Sequence, residues 1–317
     1  MEFLDFFMVA TTTIGFIIVC KTLFKFMKWV WGMFLRSPKN LREYGSWAII
    51  TGSTDGIGKA MALELASKGI NLLLLGRNPQ KLEATSNEIL TQNDVEVKCL
   101  VVDFEKENGE KMMKMVEEAM EGLDVGILVN NAGLGYPYAR YFHEVDSNLM
   151  NGIIKVNVEG ATWIIKAVIQ KMVDKKKGAI INIGSGSSFF VPSFPLISLY
   201  AATKAYLAML SRSMTLEYKH QGINIQCQVP LFVSTKMTKM RSSLFVPTAQ
   251  KYATSCTRWI GYESVVVPHL LHSLQAFVIR SFPDSFLDAY ILSDHLKIRK
   301  REIFKDSKTN KNLEASS

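Results

Sequence analysis

Tyr200 and Lys204 stand four residues apart in Tyr200-Ala201-Ala202-Thr203-Lys204, so a helix there puts a phenol and an ammonium on one face. A free tyrosine, with a pKa of ~10, is a poor proton donor or acceptor at neutral pH. A neighbouring lysine cation favours the phenolate and is expected to lower that value. The chemistry such a pair can do is proton transfer to or from an oxygen. Shortly before it, Asn182-Ile183-Gly184-Ser185-Gly186-Ser187-Ser188 sets hydroxyls at the end of an apolar run. Asn130-Asn131-Ala132-Gly133 makes a second polar turn after another such run, and Asn157 is a polar residue inside an apolar helical stretch. Taken alone, Asn157 reads as a satisfied core amide.

A further group of residues could hold a phosphate. Gly52-Ser53-Thr54-Asp55-Gly56-Ile57-Gly58 follows the apolar run Trp47–Thr51 and opens a helical pattern. Its glycines allow a tight turn and close approach of the backbone to a pyrophosphate on the helix N-terminus. The spacing GxxxGxG differs from the general GxGxxG fingerprint. After the second apolar run the chain reads Gly76-Arg77-Asn78, with no acid to take a ribose 2′-hydroxyl. An arginine there suits a 2′-phosphate, so the expected cofactor is NADPH. Asp103, after the third run, either receives the adenine amino group or caps the following helix.

Six short apolar runs must position these residues: 47–51, 71–76, 95–102, 126–130, 179–184 and 224–229. Several lack polar alternation, as parallel strands covered on both faces do. Helix-length stretches lie between them, as in Ile57, Met61 and Leu65. The implied fold is an α/β, Rossmann-type doubly wound parallel sheet with an N-terminal membrane-anchor helix. The expected divisions are residues 1–38, anchor and interfacial segment; 39–262, the NADPH-binding catalytic domain; 263–296, an apolar segment; and 297–317, a basic polar tail. In the third, Leu270, Leu271, Leu274, Phe277, Val278 and Ile279 form an apolar face that either lies on a bilayer or packs on the core.

The anchor rests on Phe6 to Cys20, fifteen residues without a charge. A snorkelling Lys21 extends the run toward the ~20 residues a span needs. From Lys25 on, aromatic residues alternate with lysines as in an interfacial helix. Every Lys and Arg among residues 1–44 follows the apolar run, whereas Glu2 and Asp5 precede it. That is the reverse of a cleaved signal peptide, and the positive-inside rule leaves the remaining chain in the cytosol. The net charge of +8 is concentrated at the ends: residues 1–44 carry +3, residues 297–317 carry +4, and the middle only +1. A nucleic-acid binder would carry a basic stripe and a motif on its folded domain, and neither is present. The four cysteines, Cys20, Cys99, Cys227 and Cys256, form no CxxC pair and suggest neither a zinc site nor a disulfide scaffold.

In this order, TGxxxGxG, NNAG, a helical Asn, Ser, YxxxK and a proline after the next strand, the chain resembles the short-chain dehydrogenase/reductase family over about residues 45–240. Finer stretches look like the plant very-long-chain 3-oxoacyl-CoA reductases: 136–146, 226–237 and Arg258-Trp259-Ile260-Gly261-Tyr262-Glu263. Those enzymes are similar to the microsomal 17β-hydroxysteroid dehydrogenases. The resemblance implies that Tyr200 protonates a carbonyl oxygen as NADPH delivers hydride. It implies that Lys204 lowers the tyrosine pKa and holds the nicotinamide ribose, and that Asn157 holds a water in a proton relay. A serine binds the substrate oxygen. A count of thirteen residues back from the tyrosine gives Ser187, but the strand pattern points to Ser185. Ser185 is the expected serine, because its position relative to the strand controls where the hydroxyl points. Asn131, Ala132, Pro230, Val233 and Thr235 join the residues expected to contact the cofactor. An acyl-CoA substrate, membrane lipid, elongase-complex proteins and a homo-oligomeric state are the implied partners, and the endoplasmic-reticulum membrane the implied location. A steroid or retinoid dehydrogenase and a catalytically weak scaffold remain open beside this reading. Lys236, Lys239, Arg241, Lys251 and Arg258 either meet CoA phosphates or form a solvated helix face.

Overall fold

A computed structural model describes the backbone of residues 2–314 and the side chains of residues 3–305. The chain divides into two compact units, residues 1–38 and 39–317.

In the first unit, helix α1 (Glu2–Val30) continues as one wider turn, Trp31–Leu35. At 1.5 Å per residue its 29 residues reach ~43 Å, beyond the ~30 Å of a bilayer's hydrocarbon core. Phe3–Leu35 is long and apolar enough to cross a membrane. The Thr11, Thr13 and Thr22 hydroxyls donate back to the carbonyls of Phe7, Val9 and Ile18 at 2.8–2.9 Å, which removes their polar hydrogens from the helix surface. A separate interfacial helix after Lys25 is not observed, because nothing between Lys21 and Val30 breaks the helix.

The second unit is a seven-stranded parallel sheet in the order β3-β2-β1-β4-β5-β6-β7. The strands are β1 (Trp47–Thr51), β2 (Asn71–Gly76), β3 (Val97–Val101), β4 (Val125–Asn130), β5 (Gly178–Ile183), β6 (Ile223–Gln228) and β7 (Val265–Val266). The helices are α2 (Gly56–Ala66), α3 (Pro79–Gln92), α4 (Gly109–Ala119), α5 (Ser147–Ile154), α6 (Ala161–Asp174), α7 (Ser198–Tyr218), α8 (Ala249–Trp259), α9 (Leu270–Ile279) and α10 (Asp284–Glu314). Alternate residues of each central strand serve opposite cores. Ala48, Ile50, Leu72 and Leu74 pack with Met61 and Leu65 of α2, whereas Ile49, Leu73 and Leu128 pack with Val116 of α4 and Ile164 of α6. This two-sided burial explains why the runs show no polar alternation. Strand order reverses between β1 and β4, and the turns at the C-terminal ends of these strands and of β5 and β6 form the crevice in which open α/β folds bind ligands.

Three features differ from the sequence expectations. The short β7 pairs with β6 through Cys227 and Gln228, in a segment too brief for a sequence pattern. Lys155–Gly160 form a π-turn between α5 and α6. The expected division between residues 296 and 297 falls inside α10, which is one helix. The apolar segment has two faces: His272, Ala276, Leu287 and Ile291 pack on the core, whereas Phe277 (70% exposed), Val278, Phe282, Phe286 and Tyr290 face out. Phe286 stacks between Phe282 and Tyr290.

Candidate active site

The phosphate-binding turn is built around two glycines that admit no side chain. Gly52 has φ +64°, and a Cβ on it would lie 2.9 Å from Ala132 Cα. A Cβ on Gly58 would lie 2.3 Å from both Asn131 Nδ2 and the Gly52 carbonyl oxygen. Thr51, the last residue of β1, ties this turn to the next one. Its hydroxyl accepts from the Asn131 and Ala132 N–H groups at 3.0 Å, while Asn131 Nδ2 donates to the carbonyls of Thr51 and Gly52 at 3.1 Å. Ser53 Oγ donates to the Leu75 carbonyl at 3.2 Å. Thr54 lies beside Gly76, and Ile57 packs on the core of α2. The helix N-terminus therefore stands in a side-chain-free cradle of glycine backbone braced by Thr51, Ser53 and Asn131, which fits a diphosphate.

Asp55 caps α2, accepting from the Gly56 N–H at 2.9 Å, and pairs with Lys236 at 2.6 Å. Burial raises its carboxyl, but the hydrogen bonds from Lys236 and Gly56 outweigh this and leave it below the usual carboxylate range. Thr235 Cγ2 would meet a Cβ on Gly56 at 3.2 Å, so the loop after β6 crosses the start of α2. Val233 is buried, and its carbonyl accepts from Thr238. The Pro230 carbonyl accepts from the Gly186 N–H at 2.8 Å and joins this loop to the serine turn.

Arg77 and Asp103 line a cleft of ≈ 750 Å³ at the ends of β2 and β3, together with Glu105, Lys106 and Lys155. Arg77 is 67% exposed and sits 3.5 Å from Glu105. Asp103 does not cap α4, whose cap is Asn108. It closes the preceding turn instead, accepting from the Glu105 N–H at 3.1 Å.

Beneath the catalytic candidates lies a buried polar chain. Asn130 Nδ2 donates to Asn182 Oδ1 at 3.0 Å, and Asn182 Nδ2 to Ser211 Oγ at 2.9 Å, which locks β4, β5 and α7 together. Lys204 is buried, and its ammonium donates to the Ile183 carbonyl at 2.8 Å. Nζ lies 5.8 Å from the Tyr200 ring centre. Burial lowers the Lys204 pKa to about 8, so the ammonium is still charged at neutral pH. The Tyr200 phenol moves opposite to the sequence expectation. Burial raises its pKa, and a hydrogen bond with Ser185 only opposes that rise. The ammonium is directed at the Ile183 carbonyl, and desolvation sets the direction of the phenol's shift. Of the two candidate serines, Ser185 is the one that meets the phenol. Ser187 supports it, donating from its hydroxyl at 2.9 Å and from its N–H at 3.2 Å to Ser185 Oγ.

Asn157 is fully buried. Its Oδ1 accepts from the Leu134 N–H at 2.7 Å, and its Nδ2 donates to the Leu134 carbonyl at 2.9 Å and to Thr203 Oγ1 at 3.0 Å. Both amide hydrogens are committed to Leu134 and Thr203. It clamps the loop after β4 to the helix of Tyr200 and Lys204. The π-turn accommodates the extra residue and directs this amide inward.

His272, which carries no signal in the sequence beyond being a histidine in an apolar helix, holds the loop after β6. Its Nδ1 accepts from the Leu231 N–H at 3.3 Å, and its Nε2 donates to the Phe232 carbonyl at 3.1 Å, so the neutral ring is required. Burial, then the neighbouring His269, lower its pKa to about 4. With a free value of ~6.5, the unfolded chain binds the proton first as pH falls. The group's stabilisation is complete above ~6.5 and lost toward 4, amounting to roughly 3 kcal/mol. Thermal melts from pH 7 to 4 should therefore fall more steeply for the wild type than for His272→Gln. Parallel slopes would show that His272 titrates as a free histidine.

Comparison with known proteins agrees with this arrangement. The short chain dehydrogenase family matches residues 46–243. A very-long-chain 3-oxoacyl-CoA reductase-like protein of Arabidopsis thaliana is 45% identical over 293 residues, 90% of this chain and 93% of that one. An inactive hydroxysteroid dehydrogenase-like protein of Homo sapiens is 37% identical, covering 77% of this chain and 74% of its own. A short-chain dehydrogenase from Sphingobium yanoikuyae, solved in complex with NADPH, superimposes with a TM-score of 0.62 at 26% identity, over 75% of this chain and 96% of that one. With its parallel sheet, glycine cradle and Ser185–Tyr200–Lys204 group, the chain is a nicotinamide-dependent oxidoreductase of the short-chain dehydrogenase family.

Proposed function

We propose that this protein reduces the 3-oxo group of very-long-chain acyl-CoA thioesters with NADPH, within fatty-acid elongation at the endoplasmic-reticulum membrane, its catalytic unit facing the cytosol. The observation that carries the reading is the placing of Tyr200 and the buried Lys204 on one face of α7, Nζ 5.8 Å from the ring centre and donating to the Ile183 carbonyl just before Ser185, at the strand ends beside the glycine cradle. A protonated phenol is the form a reduction consumes. When bound, a nicotinamide cofactor would supply hydride to the carbonyl carbon. Tyr200 gives its proton to the carbonyl oxygen, which Ser185 holds by a hydrogen bond. Lys204 stabilises the phenolate left behind. Asn157 acts by fixing Leu134 and Thr203 around the pair. The cradle at Gly52, Ser53, Thr54, Asp55, Gly56, Ile57 and Gly58 would hold the diphosphate. Asn131, Ala132, Pro230, Val233 and Thr235 would line the rest of the cofactor's path, and Arg77 and Asp103 its adenosine end.

The substrate class rests on the Arabidopsis relative and on surface chemistry. Lys236, Lys239 and Arg241 line a groove beside the loop after β6 and suit the phosphates of CoA. The apolar helix α1 and the exposed Phe277, Val278 and Phe282 suit a protein that collects its substrate from lipid. The human relative's name, that of an inactive protein, favours a second reading in which this chain is catalytically weak. The presence of Ser185, Tyr200, Lys204 and Asn157 together argues against it.

Full-length protein in detergent, given NADPH and either a long-chain 3-oxoacyl-CoA or a 17-ketosteroid, tests the reading by product mass. Reduction of the thioester substrate is expected; reduction of the steroid alone would replace it with the steroid reading. For the cofactor, Arg77→Asp should move preference toward NADH. Loss of one charge-assisted contact to the 2′-phosphate is worth ~1.5–3 kcal/mol, roughly tenfold or more in affinity. An unmoved NADPH/NADH ratio would mean the 2′-phosphate is read elsewhere.

A further inference from the structure

Two loops flank Tyr200. The first leaves β4 and passes the tyrosine so closely that a Cβ on Gly135 would lie 3.7 Å from its ring, then runs on to Glu144. The second leaves β5 through Ser185 and returns through Pro195 and Leu196 to Tyr200 itself. They touch where the Arg140 N–H donates to the Leu196 carbonyl at 2.8 Å, and Leu196 is held at φ +64°, an unusual conformation for a branched side chain. Among the described residues, α10 reaches both. Leu287 and Ile291 bury its inner face. From the same stripe Asp288 accepts from Ser193 Oγ, and His295, 6% exposed, donates from Nδ1 to the Pro195 carbonyl at 2.6 Å with Phe194 edge-on to its ring. One turn further, Arg299 donates to Glu144 at 2.5 Å, the side chains being only 19% and 29% exposed. The other oxygen of Glu144 accepts from the Tyr141 N–H at 2.9 Å, and the guanidinium lies 5.3 Å from the Tyr141 ring centre. Residues 288, 295 and 299 are spaced by seven and four, so one helix face holds both loops.

We propose that α10 is a clasp that sets the width of the substrate cleft, with His295 and Arg299 as positioning residues for the two loops beside Tyr200. The stripe touches neither the glycine cradle nor Lys204, so its loss acts on substrate fit and leaves cofactor binding alone. The proposal rests on the acyl-CoA reading for its assay substrate.

In the full-length protein, Arg299→Met and Glu144→Gln should each raise KM for a long-chain 3-oxoacyl-CoA about fivefold or more, with NADPH affinity held within about twofold. The double variant should do no more than either single one, since both break the same ion pair, and Arg299→Lys should recover most of the loss. His295→Ala should reduce the preference for long over short acyl chains. Hydrogen exchange gives a readout free of turnover: residues 136–146 and 189–197 should exchange faster in Arg299→Met than in wild type, while the cradle at 52–58 stays protected. Additive effects in the double variant, or unchanged exchange in both loops, would overturn the clasp. Faster loop exchange in a protein that reduces no acyl-CoA would keep the clasp and reject the substrate.

Discussion

Tyr200→Phe is expected to lower turnover by about 10²–10⁴-fold, the range that a positioned general acid contributes. Cofactor affinity should stay near the wild-type value, because the hydroxyl meets Ser185 and substrate and takes no part in the glycine cradle. Single-turnover reduction together with NADPH titration, followed by nicotinamide fluorescence, separates the two quantities. Desolvation raises the phenol's pKa, so no alkaline limb from Tyr200 is expected near neutral pH in the reduction direction. A variant that kept most of its turnover would remove Tyr200 from the mechanism.

Lys204→Met should damage both quantities. The ammonium would no longer balance the phenolate, and its contact with a bound ribose would go, costing roughly tenfold or more in NADPH affinity. The wild type provides an independent sign. Lys204 has a lowered pKa of about 8, so its charge is present below that pH and disappears as pH rises through it. NADPH affinity should weaken across the same range in the wild type and remain flat in Lys204→Met. Unchanged affinity in the variant would restrict Lys204 to supporting Tyr200. The buried site makes either effect larger than a surface lysine could produce.

The central strands were legible because burial on both faces leaves unbroken apolar runs such as Asn71–Gly76, and the cradle because Gly52 and Gly58 leave no room for any other residue. Position along the chain also brought Ser185, Tyr200 and Lys204 together, since strand end and helix start meet at one edge of the sheet. Three things were not legible, each for its own reason. The direction of the Tyr200 shift depends on desolvation, which local spacing does not report, and the lysine's proximity argued the wrong way. Asn157 lies in a stretch that reads as continuous helix, so neither the π-turn nor the commitment of both amide hydrogens could be seen. Helix α10 combines an apolar start with a basic end, and composition divided it where the backbone does not; its functional face rests on Asp288, His295 and Arg299, polar residues that a pattern of apolar periodicity passes over. Thr51 and His272 belong with these, as single polar side chains that act on backbone distant in sequence.

The most direct test of the central claim is absorbance at the nicotinamide band when full-length protein in detergent receives NADPH and then a long-chain 3-oxoacyl-CoA. The account predicts no NADPH loss before the thioester is added, and afterwards one NADPH oxidised for each 3-hydroxyacyl-CoA formed. If NADPH binds but its absorbance stays constant after the thioester is added, the protein occupies this fold without performing its reduction, and the account is contradicted.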